Sequence, residues 1–139
     1  MGYWVSIAEP VNRQWRAMDK ISKMVDPGIL ETSQNHLPTW VNWTFPEGKS
    51  NNIEVLQLSD LDRLDTQSVD DIISHLKELP HLKELYLYFG PIQDRHVDEI
   101  ATLRSLQTVE FFPNQITDVG AAKLLALPNI ETLNLEKHL

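Results

Sequence analysis

Apolar residues recur with a regular spacing along the second half of this 139-residue chain. Three segments align at intervals of 24 residues, and each has apolar residues at its first, fourth and sixth positions: LKELYL (82–87), LQTVEF (106–111) and IETLNL (130–135). A fourth segment with the same internal pattern, IEVLQL (53–58), precedes them. An internal period of this length is typical of repeat proteins, in which each repeat is one small unit of secondary structure. The pattern therefore predicts stacked repeats.

Each repeat is predicted to contain a short strand and a helix. Leu85 and Leu87 are separated by one residue, which is the spacing that places side chains on the same face of a strand. The stretch that follows carries Val97, Ile100 and Leu103 at intervals of three residues, which indicates one apolar face of a helix. We expect neighbouring strands to run parallel and to bury their leucine face.

Polar residues and prolines mark the ends of the predicted helices. Asp94 and Asp118 lie one period apart, and each is predicted to be an N-cap that accepts a backbone N–H group. Pro80 and Pro128 lie just beyond the predicted helices, where proline ends a helix. The repeats that these signals delimit are 53–81, 82–105, 106–129 and a partial repeat at 130–139.

The segment ITDVGAAKLLALPNIETLNL (116–135) resembles the leucine-rich repeat family, in particular its ribonuclease-inhibitor-like and bacterial I-T-D-x-G subtypes. Asn114 lies where that family has an asparagine that binds the backbone between strand and turn, whereas Gly90 has this position one repeat earlier. The resemblance extends over residues 53–139 and implies an α/β fold. It implies a short right-handed solenoid of about 3.5 to 4 repeats, with a parallel sheet on the concave side and helices on the convex side.

Residues 1–52 do not show the repeat and are predicted to form an N-terminal cap made of a helix and a strand. The helix is predicted over PVNRQWRAMDKISKMV (10–25), in which apolar residues follow one helical face. The strand is predicted over WVNWTF (40–45). A cap is expected because the first repeat of a stack has no neighbour to cover it. The alternative is a separate domain or a ligand site.

The alternation that buries Leu85 and Leu87 directs the residues between and beside them to the opposite face of the sheet. The same alternation in every repeat gives one continuous outer surface, and the family resemblance implies that this surface is the concave recognition face. The predicted partner-binding residues are Glu84, Tyr86, Tyr88, Glu110, Phe112, Asn134 and Glu136. Aromatic side chains give large contact areas, and the glutamates favour a basic partner. The alternatives are that the aromatics simply favour strands, or that the N-terminal segment covers them.

The composition narrows the classes of partner. The formal net charge is −8, which argues against nucleic acid and anionic membrane surfaces as partners. The chain has no cysteine, so disulfides and thiolate metal sites are excluded. No apolar run approaches the ~18 residues of a membrane span, and we expect a cytoplasmic protein.

Motifs that would indicate chemistry are not found in the sequence. The chain has five histidines, and His96 lies close to Asp94 and Asp98. No zinc-binding spacing, nucleophile motif or phosphate-binding glycine loop accompanies them, so these side chains are expected on the solvated surface. We therefore predict no catalytic residue, no metal and no cofactor, and the protein is not expected to be an enzyme.

Three functions are compatible with this sequence. The predicted one is a non-catalytic protein-recognition module, such as an immunity protein or an adaptor, which binds a basic protein through the concave face. The alternative is a structural homo-oligomer joined through the C-terminal edge strand, which no predicted helix covers. The third is an enzyme with an unrecognised histidine and aspartate site around His96.

Overall fold

Strands and helices alternate along the chain. The structure is a computed structural model, and it describes residues 13–14, 16–25, 30–32 and 53–137. The helices in these ranges are α1 at 13–14 and 16–24, α2 (Thr66–His75), α3 (Asp94–Ile100) and α4 (Asp118–Leu125). The strands are β1 (Leu30–Thr32), β2 (Val55–Leu58), β3 (Glu84–Tyr88), β4 (Thr108–Phe112) and β5 (Thr132–Leu135). Short 3₁₀ turns lie on either side of α2, at Leu61–Arg63 and Leu76–Glu78. None of the helices in the described ranges has the length and apolarity that crossing a bilayer requires.

The five strands form one sheet in the order β1-β2-β3-β4-β5. Strands β2 to β5 run parallel, and their register places Leu56 beside Leu85, Leu85 beside Val109, and Val109 beside Leu133. This pairing confirms the predicted α/β class with a parallel sheet, and it confirms the in-phase alignment of the four segments. The register follows from the sequence period, because a one-residue slip would turn every leucine away from the core.

An additional strand, β1, pairs antiparallel with β2 and is not predicted by the sequence pattern. At three residues, Leu30–Thr32 is too short to show the alternation that indicates a strand. Its backbone hydrogen bonds occupy the edge of β2 that faces away from β3. Without β1 this edge would be unpaired, and an unpaired strand edge can associate with other chains. The cap strand predicted at 40–45 lies outside the described residues.

The core lies between the sheet and the helices. Inward strand residues such as Leu85 and Phe111 are fully buried, as are the helical residues Ile100 and Leu124. Complete burial of one such side chain contributes about 1.5–3 kcal/mol. The apolar phase that repeats along the sequence is therefore the main source of the stability of this part of the chain.

Helix α1 packs into the same core through Ala17, Met18 and Ile21, and its described residues are helical as predicted. Gln14 is buried beside them, and its Oε1 accepts the backbone N–H of Ile53 at 3.2 Å, just before β2. Sequence pattern alone cannot assign this role, because the N–H that needs an acceptor is distant in sequence. The division of the chain into a cap at 1–52 and repeats from residue 53 stays a prediction.

The predicted helix caps are wrong by one residue. Helices α3 and α4 begin at Asp94 and Asp118, so the N-cap positions are Gln93 and Thr117. At the first of these, Nδ1 of His96 accepts the backbone N–H of Gln93 at 2.9 Å. Asp94 instead bonds the following unit, where its Oδ1 accepts the N–H of Thr117 at 2.8 Å and its Oδ2 accepts the Thr117 hydroxyl. The carboxylate thus joins two strand–helix units rather than closing its own helix.

Gly120 in α4 leaves the space that the Asp94 link requires. A Cβ atom added at Gly120 would lie 2.7 Å from Cγ2 of Ile116 and closer still to the Asp94 carboxylate. A side chain at this position would therefore displace Asp94 from Thr117. This contact gives a physical reason for the glycine in the ITDVG segment.

Asn114 holds the turn after β4 against two neighbouring stretches of backbone. Its side chain is buried, and Nδ2 donates to the carbonyl oxygens of Phe111 at 3.2 Å and Glu136 at 3.0 Å. Its Oδ1 accepts the backbone N–H of Ile116 at 2.9 Å. The bonds to Phe111 and Ile116 close the turn, and the bond to Glu136 ties it to the stretch after β5.

The substitution Asn114→Ala is expected to lower the free energy of unfolding by about 2–3 kcal/mol, since it leaves a buried carbonyl, a part-buried carbonyl and a buried N–H without their partner. Asn129→Ala is the matched control, because Asn129 is exposed and donates to Arg104 O at 2.8 Å. The control should change stability by less than about 0.5–1 kcal/mol. Urea denaturation followed by circular dichroism measures both values, and equal losses would contradict the role assigned to Asn114.

Stability should decrease as the pH falls below the ordinary pKa of aspartate. The Thr117 hydroxyl, followed by the Thr117 N–H, holds the pKa of Asp94 below its ordinary value of 3.8. A lowered folded-state pKa contributes stability above the unfolded pKa, and this contribution is lost as the pH falls through the folded pKa. Asp94→Asn should therefore show a shallower decline in urea midpoint between about pH 5 and pH 2. Thr117→Val, which keeps the N–H and removes the hydroxyl, should give an intermediate slope, and unchanged slopes in both variants would disprove the assignment.

Candidate functional site

The structure brings the predicted binding residues together on the outer face of the sheet. In register, Tyr86 lies beside Glu110 and Glu110 lies beside Asn134, while Tyr88 lies beside Phe112. Glu84 begins β3 in the row beneath Tyr86, and Glu136 follows the last residue of β5. The strand residues of this set are half-buried and Glu136 is exposed. We refer to the seven residues together as the outer face.

The carboxylates of the outer face lie on a diagonal of the sheet. Glu84 is at the start of β3, Glu110 is in the middle of β4, and Glu136 is just past the end of β5. One strand and two residues separate each from the next, which corresponds to a step of about 8 Å. No Lys or Arg is among the side chains described on this side of β2 to β5. The outer face is therefore negatively charged along a line.

Two tyrosines orient two of these carboxylates. The Tyr86 hydroxyl donates to Oε2 of Glu84 at 2.7 Å, and the Tyr88 hydroxyl donates to Oε1 of Glu110 at 3.2 Å. The tyrosine rings stack with centroids 6.4 Å apart and an angle of 29° between their planes. Because a carboxylate has about four acceptor positions, each glutamate keeps acceptor capacity for a second donor. The pairs thus present fixed negative groups beside flat aromatic surfaces.

The glutamates keep both phenols protonated. The hydrogen bond to Glu84, together with burial and the Glu84 charge, raises the pKa of Tyr86 to about 12. Burial raises the pKa of Tyr88, and the charge of Glu110 and the bond to it act in the same direction. A neutral phenol is the donor that each carboxylate requires, so the paired geometry is maintained throughout the physiological pH range.

Phe89 belongs to the same surface and is not identified by the alternation of residues. It is 48% exposed, and its ring contacts that of Phe112 edge to face, with centroids 6.1 Å apart. By alternation residue 89 should point inward, but its φ of 56° turns the chain out of the strand. The sequence does contain one signal, because an apolar residue directly before Gly90 lies at the expected strand-to-turn boundary.

His96 is buried, against the expectation that it lies on the solvated surface. Its Nε2 is 2.6 Å from Oδ1 of Asp70, and Nη2 of Arg95 is 3.0 Å from the same oxygen. Since Nδ1 accepts the N–H of Gln93, Nε2 carries the proton and donates it to Asp70. The bond from His96 is the main cause of a pKa of Asp70 below its ordinary value. Both ring nitrogens therefore have structural partners, and His96 ties α3 to α2.

Within the described ranges, no group of three or more His, Asp or Glu side chains is arranged to hold a metal ion. Asp94 and Asp98, which flank His96 in sequence, point to other partners: Asp94 binds Thr117, and Asp98 accepts from Nζ of Lys123. Neither Asp94 nor Asp98 therefore pairs with His96, whose carboxylate partner is Asp70.

The chain is similar in sequence to an adenylate cyclase of Schizosaccharomyces pombe. The two are 30% identical over 106 residues, a match that spans 71% of this chain and 6% of the cyclase. The chain therefore corresponds to a small part of the length of that protein. No protein-family model matches the chain, and no solved structure matches it.

This similarity corrects one prediction. The sequence motifs led to the expectation that the protein is not an enzyme, and that expectation is contradicted because the relative is an adenylate cyclase, which is an enzyme. The physical reason for the error is that motif searches detect residues of known catalytic spacing, whereas a stretch that makes up a small part of an enzyme need not contain them.

Replacement of Glu84 should make Tyr86 easier to ionise. In the wild type Tyr86 has a pKa of about 12 and should remain protonated at pH 11. Glu84→Gln removes the negative charge and the carboxylate acceptor, so the pKa of Tyr86 should fall toward the ordinary value of 10.0. Titration of the ¹³Cζ resonances of tyrosine by NMR measures the change. Glu110→Gln is the matched control, which should move Tyr88 more than Tyr86; an unchanged Tyr86 titration in Glu84→Gln would contradict the pairing.

Proposed function

We propose that this chain is a leucine-rich-repeat recognition unit that binds a basic protein through its outer face. In this proposal residues 53–139 form a short right-handed solenoid of about 3.5 to 4 repeats, with the sheet on the concave side. Residues 1–52 cover its first repeat. The partner-binding residues are those of the outer face. The cytoplasmic location expected from the sequence belongs to the same proposal.

The repeat assignment is supported by contacts that join successive strand–helix units. Asp94 of the unit 82–105 binds Thr117 of the unit 106–129, with its Oδ1 accepting the Thr117 N–H at 2.8 Å. Asn129 Nδ2 reaches back to Arg104 in the same way. Contacts between adjacent units only are the property that defines a solenoid, since each unit buries its apolar face against its neighbours.

The binding assignment is supported by one observation above all, which is the combination of charge and aromatic surface on the outer face. Glu84, Glu110 and Glu136 supply negative charge along a line, with no described cation on that side to neutralise it. Tyr86 and Tyr88 supply stacked rings beside that line. Complementary charge accelerates encounter with a basic partner, and aromatic side chains carry much of the binding energy in protein interfaces.

Strand propensity alone explains the tyrosines less well. Strand propensity accounts for a tyrosine in an extended backbone but not for a hydrogen bond from its hydroxyl to a glutamate. Both tyrosines donate such a bond. The bonds hold two carboxylates in fixed positions, and fixed groups lose less conformational entropy when a partner binds. This preorganisation favours recognition over a purely structural role.

The similarity to an adenylate cyclase suggests a setting for the recognition unit. The matched stretch is 6% of that enzyme, which leaves most of its length for other tasks. We propose that this chain serves recognition in a comparable context, in which binding of a basic protein is linked to an enzyme. Alternatively, the same surface could serve recognition in an immunity protein or an adaptor.

Substitution of the outer-face aromatics should strongly weaken partner binding and leave the fold intact. Tyr86→Ala and Phe112→Ala are expected to weaken binding by about thirtyfold or more, the size typical of a central aromatic contact. The wild type and both variants are immobilised and exposed to a lysate of the source organism, retained proteins are identified by mass spectrometry, and affinities are measured with the purified partner. We expect a basic protein whose affinity decreases with ionic strength.

Matched controls are Val119→Ala and Leu125→Ala, because these residues are 64% and 62% exposed and lie on α4 rather than on the sheet. The controls should capture the partner as the wild type does. A loss of several kcal/mol of stability in Tyr86→Ala or Phe112→Ala would place the aromatics in the core and disprove the proposal. Recovery of the chain itself as the captured partner would support the homo-oligomer instead.

A further inference from the structure

Phe89 adopts a backbone conformation that bulky residues rarely take. Its φ of 56° lies in the left-handed region, which favours glycine because it has no Cβ atom. The side chain is 48% exposed, so burial in the core does not explain why phenylalanine is tolerated here. Backbone strain at an exposed aromatic residue is typical of positions that serve function rather than stability.

The strained turn carries Phe89 onto the outer side of the sheet. Its backbone N–H donates to the carbonyl of Phe112 at 2.7 Å, and the two rings meet edge to face. We call these two residues the phenyl pair. The phenyl pair forms an apolar patch where β3 and β4 end, on the same side as Tyr86 and Tyr88.

The phenyl pair lies directly beside the tyrosine–glutamate pairs. Phe112 is next to Tyr88 in register and is two residues beyond Glu110 on β4. Two residues of a strand span about 6.6 Å, which is also the distance between alternate side chains of an extended peptide. A negative group and an apolar group are thus presented at the spacing of two side chains on one face of a ligand segment.

We infer that the outer face recognises an extended segment of its partner with an arginine and, two residues away, an apolar side chain. The arginine lies over the tyrosine rings and binds Glu110, while the apolar side chain packs on the phenyl pair. This inference rests on the proposed function and specifies the chemistry of the partner.

Arginine fits the subsite better than lysine for two reasons. Its planar guanidinium stacks on flat rings such as Tyr86 and Tyr88, whereas an ammonium group has no plane to stack. It also donates through several N–H groups in a fixed arrangement, which suits a carboxylate already oriented by a tyrosine. Glu110 is oriented in this way, because Tyr88 occupies one of its oxygens.

Three short acetylated peptide amides test the inference. The first contains Arg-Ser-Leu between glycines, the second has lysine in place of arginine, and the third contains Arg-Leu-Ser, which moves the leucine to the other side of an extended peptide. Binding to the intact chain is measured by NMR titration, with the resonances of residues 86–89 and 110–112 as reporters. The first peptide should bind at least about fivefold more tightly than the other two, as expected for one charge-assisted contact or one apolar contact.

The variant Phe89→Gly separates a binding role from a structural one. Glycine relieves the left-handed conformation, so the melting temperature should be unchanged or higher. Affinity for the arginine peptide should nevertheless fall about fivefold or more, since the variant lacks half of the phenyl pair. A purely structural phenylalanine would give the opposite result, with lower stability and unchanged binding. Glu110→Gln should reduce the preference for arginine over lysine without lowering the melting temperature.

Equal binding of the three peptides, absence of binding, or unchanged affinity in Phe89→Gly would overturn the inference. These outcomes are distinct from failure of the proposed function. If Tyr86→Ala loses the natural partner while Phe89→Gly retains it and arginine is not preferred, the outer face still binds a protein but not by this chemistry. If Tyr86→Ala retains the partner, the proposed function and the inference both fail.

Discussion

The parallel hydrogen-bonded alignment of β2 to β5 is the constraint on which the rest of the structure depends. Because each strand must return to the same height beside the last, the chain between strands has to travel out and back within about two dozen residues, and a short helix accomplishes this. The alignment puts Leu85, Val109 and Leu133 in one row and so makes a single core from separate segments. It also places the residues between them in one row on the opposite side.

In this second row, side-chain hydrogen bonds fix the positions of the acidic and aromatic residues. An acidic and aromatic sequence could present its side chains in many ways, but the bonds from Tyr86 to Glu84 and from Tyr88 to Glu110 select one. Tyr86 binds Glu84 within β3, whereas Tyr88 of β3 binds Glu110 on β4. The two carboxylates therefore lie at different positions along the strand direction. Electrostatic attraction and aromatic contact are thereby combined in one area, a combination that is efficient in recognition.

The sequence predicts those features that depend on local periodicity. The parallel strands, the helices between them and the inward leucines follow from spacing alone. The features that it does not predict depend on neighbours that are distant in the chain. Asp94 accepts a hydrogen bond from Thr117 instead of capping its own helix. His96 can be buried because its two ring nitrogens bond Asp70 and the N–H of Gln93. No pattern within a single repeat contains that information.

The candidate site likewise has features that the sequence pattern predicts and features that it does not. Alternation within β3 and β4 identifies which residues face outward, because the period of a strand is two residues. It fails at Phe89, where one positive φ ends the alternation and moves an apparently inward residue to the surface. Alternation also cannot reveal the tyrosine hydroxyl bonds, since the bond from Tyr88 to Glu110 joins residues of different strands.

Glycine and asparagine at one equivalent position show that the units are not interchangeable. A Cβ atom at Gly90 would lie 2.7 Å from Cβ of Leu61, whereas Asn114 fills the same position one unit later with a bonded side chain. The strand–helix units therefore have the same order of elements but differ in the contacts that each makes with the preceding unit.

The antiparallel strand β1 makes the two sides of the parallel sheet different. Because β1 runs antiparallel to β2 and pairs with its outer edge, a further parallel strand cannot pair with β2 on that side. On the opposite side β5 runs in the common direction and keeps the spacing of its predecessors. Within the described part of the chain, another parallel strand could therefore pair beside β5, whereas the outer edge of β2 is already occupied by β1.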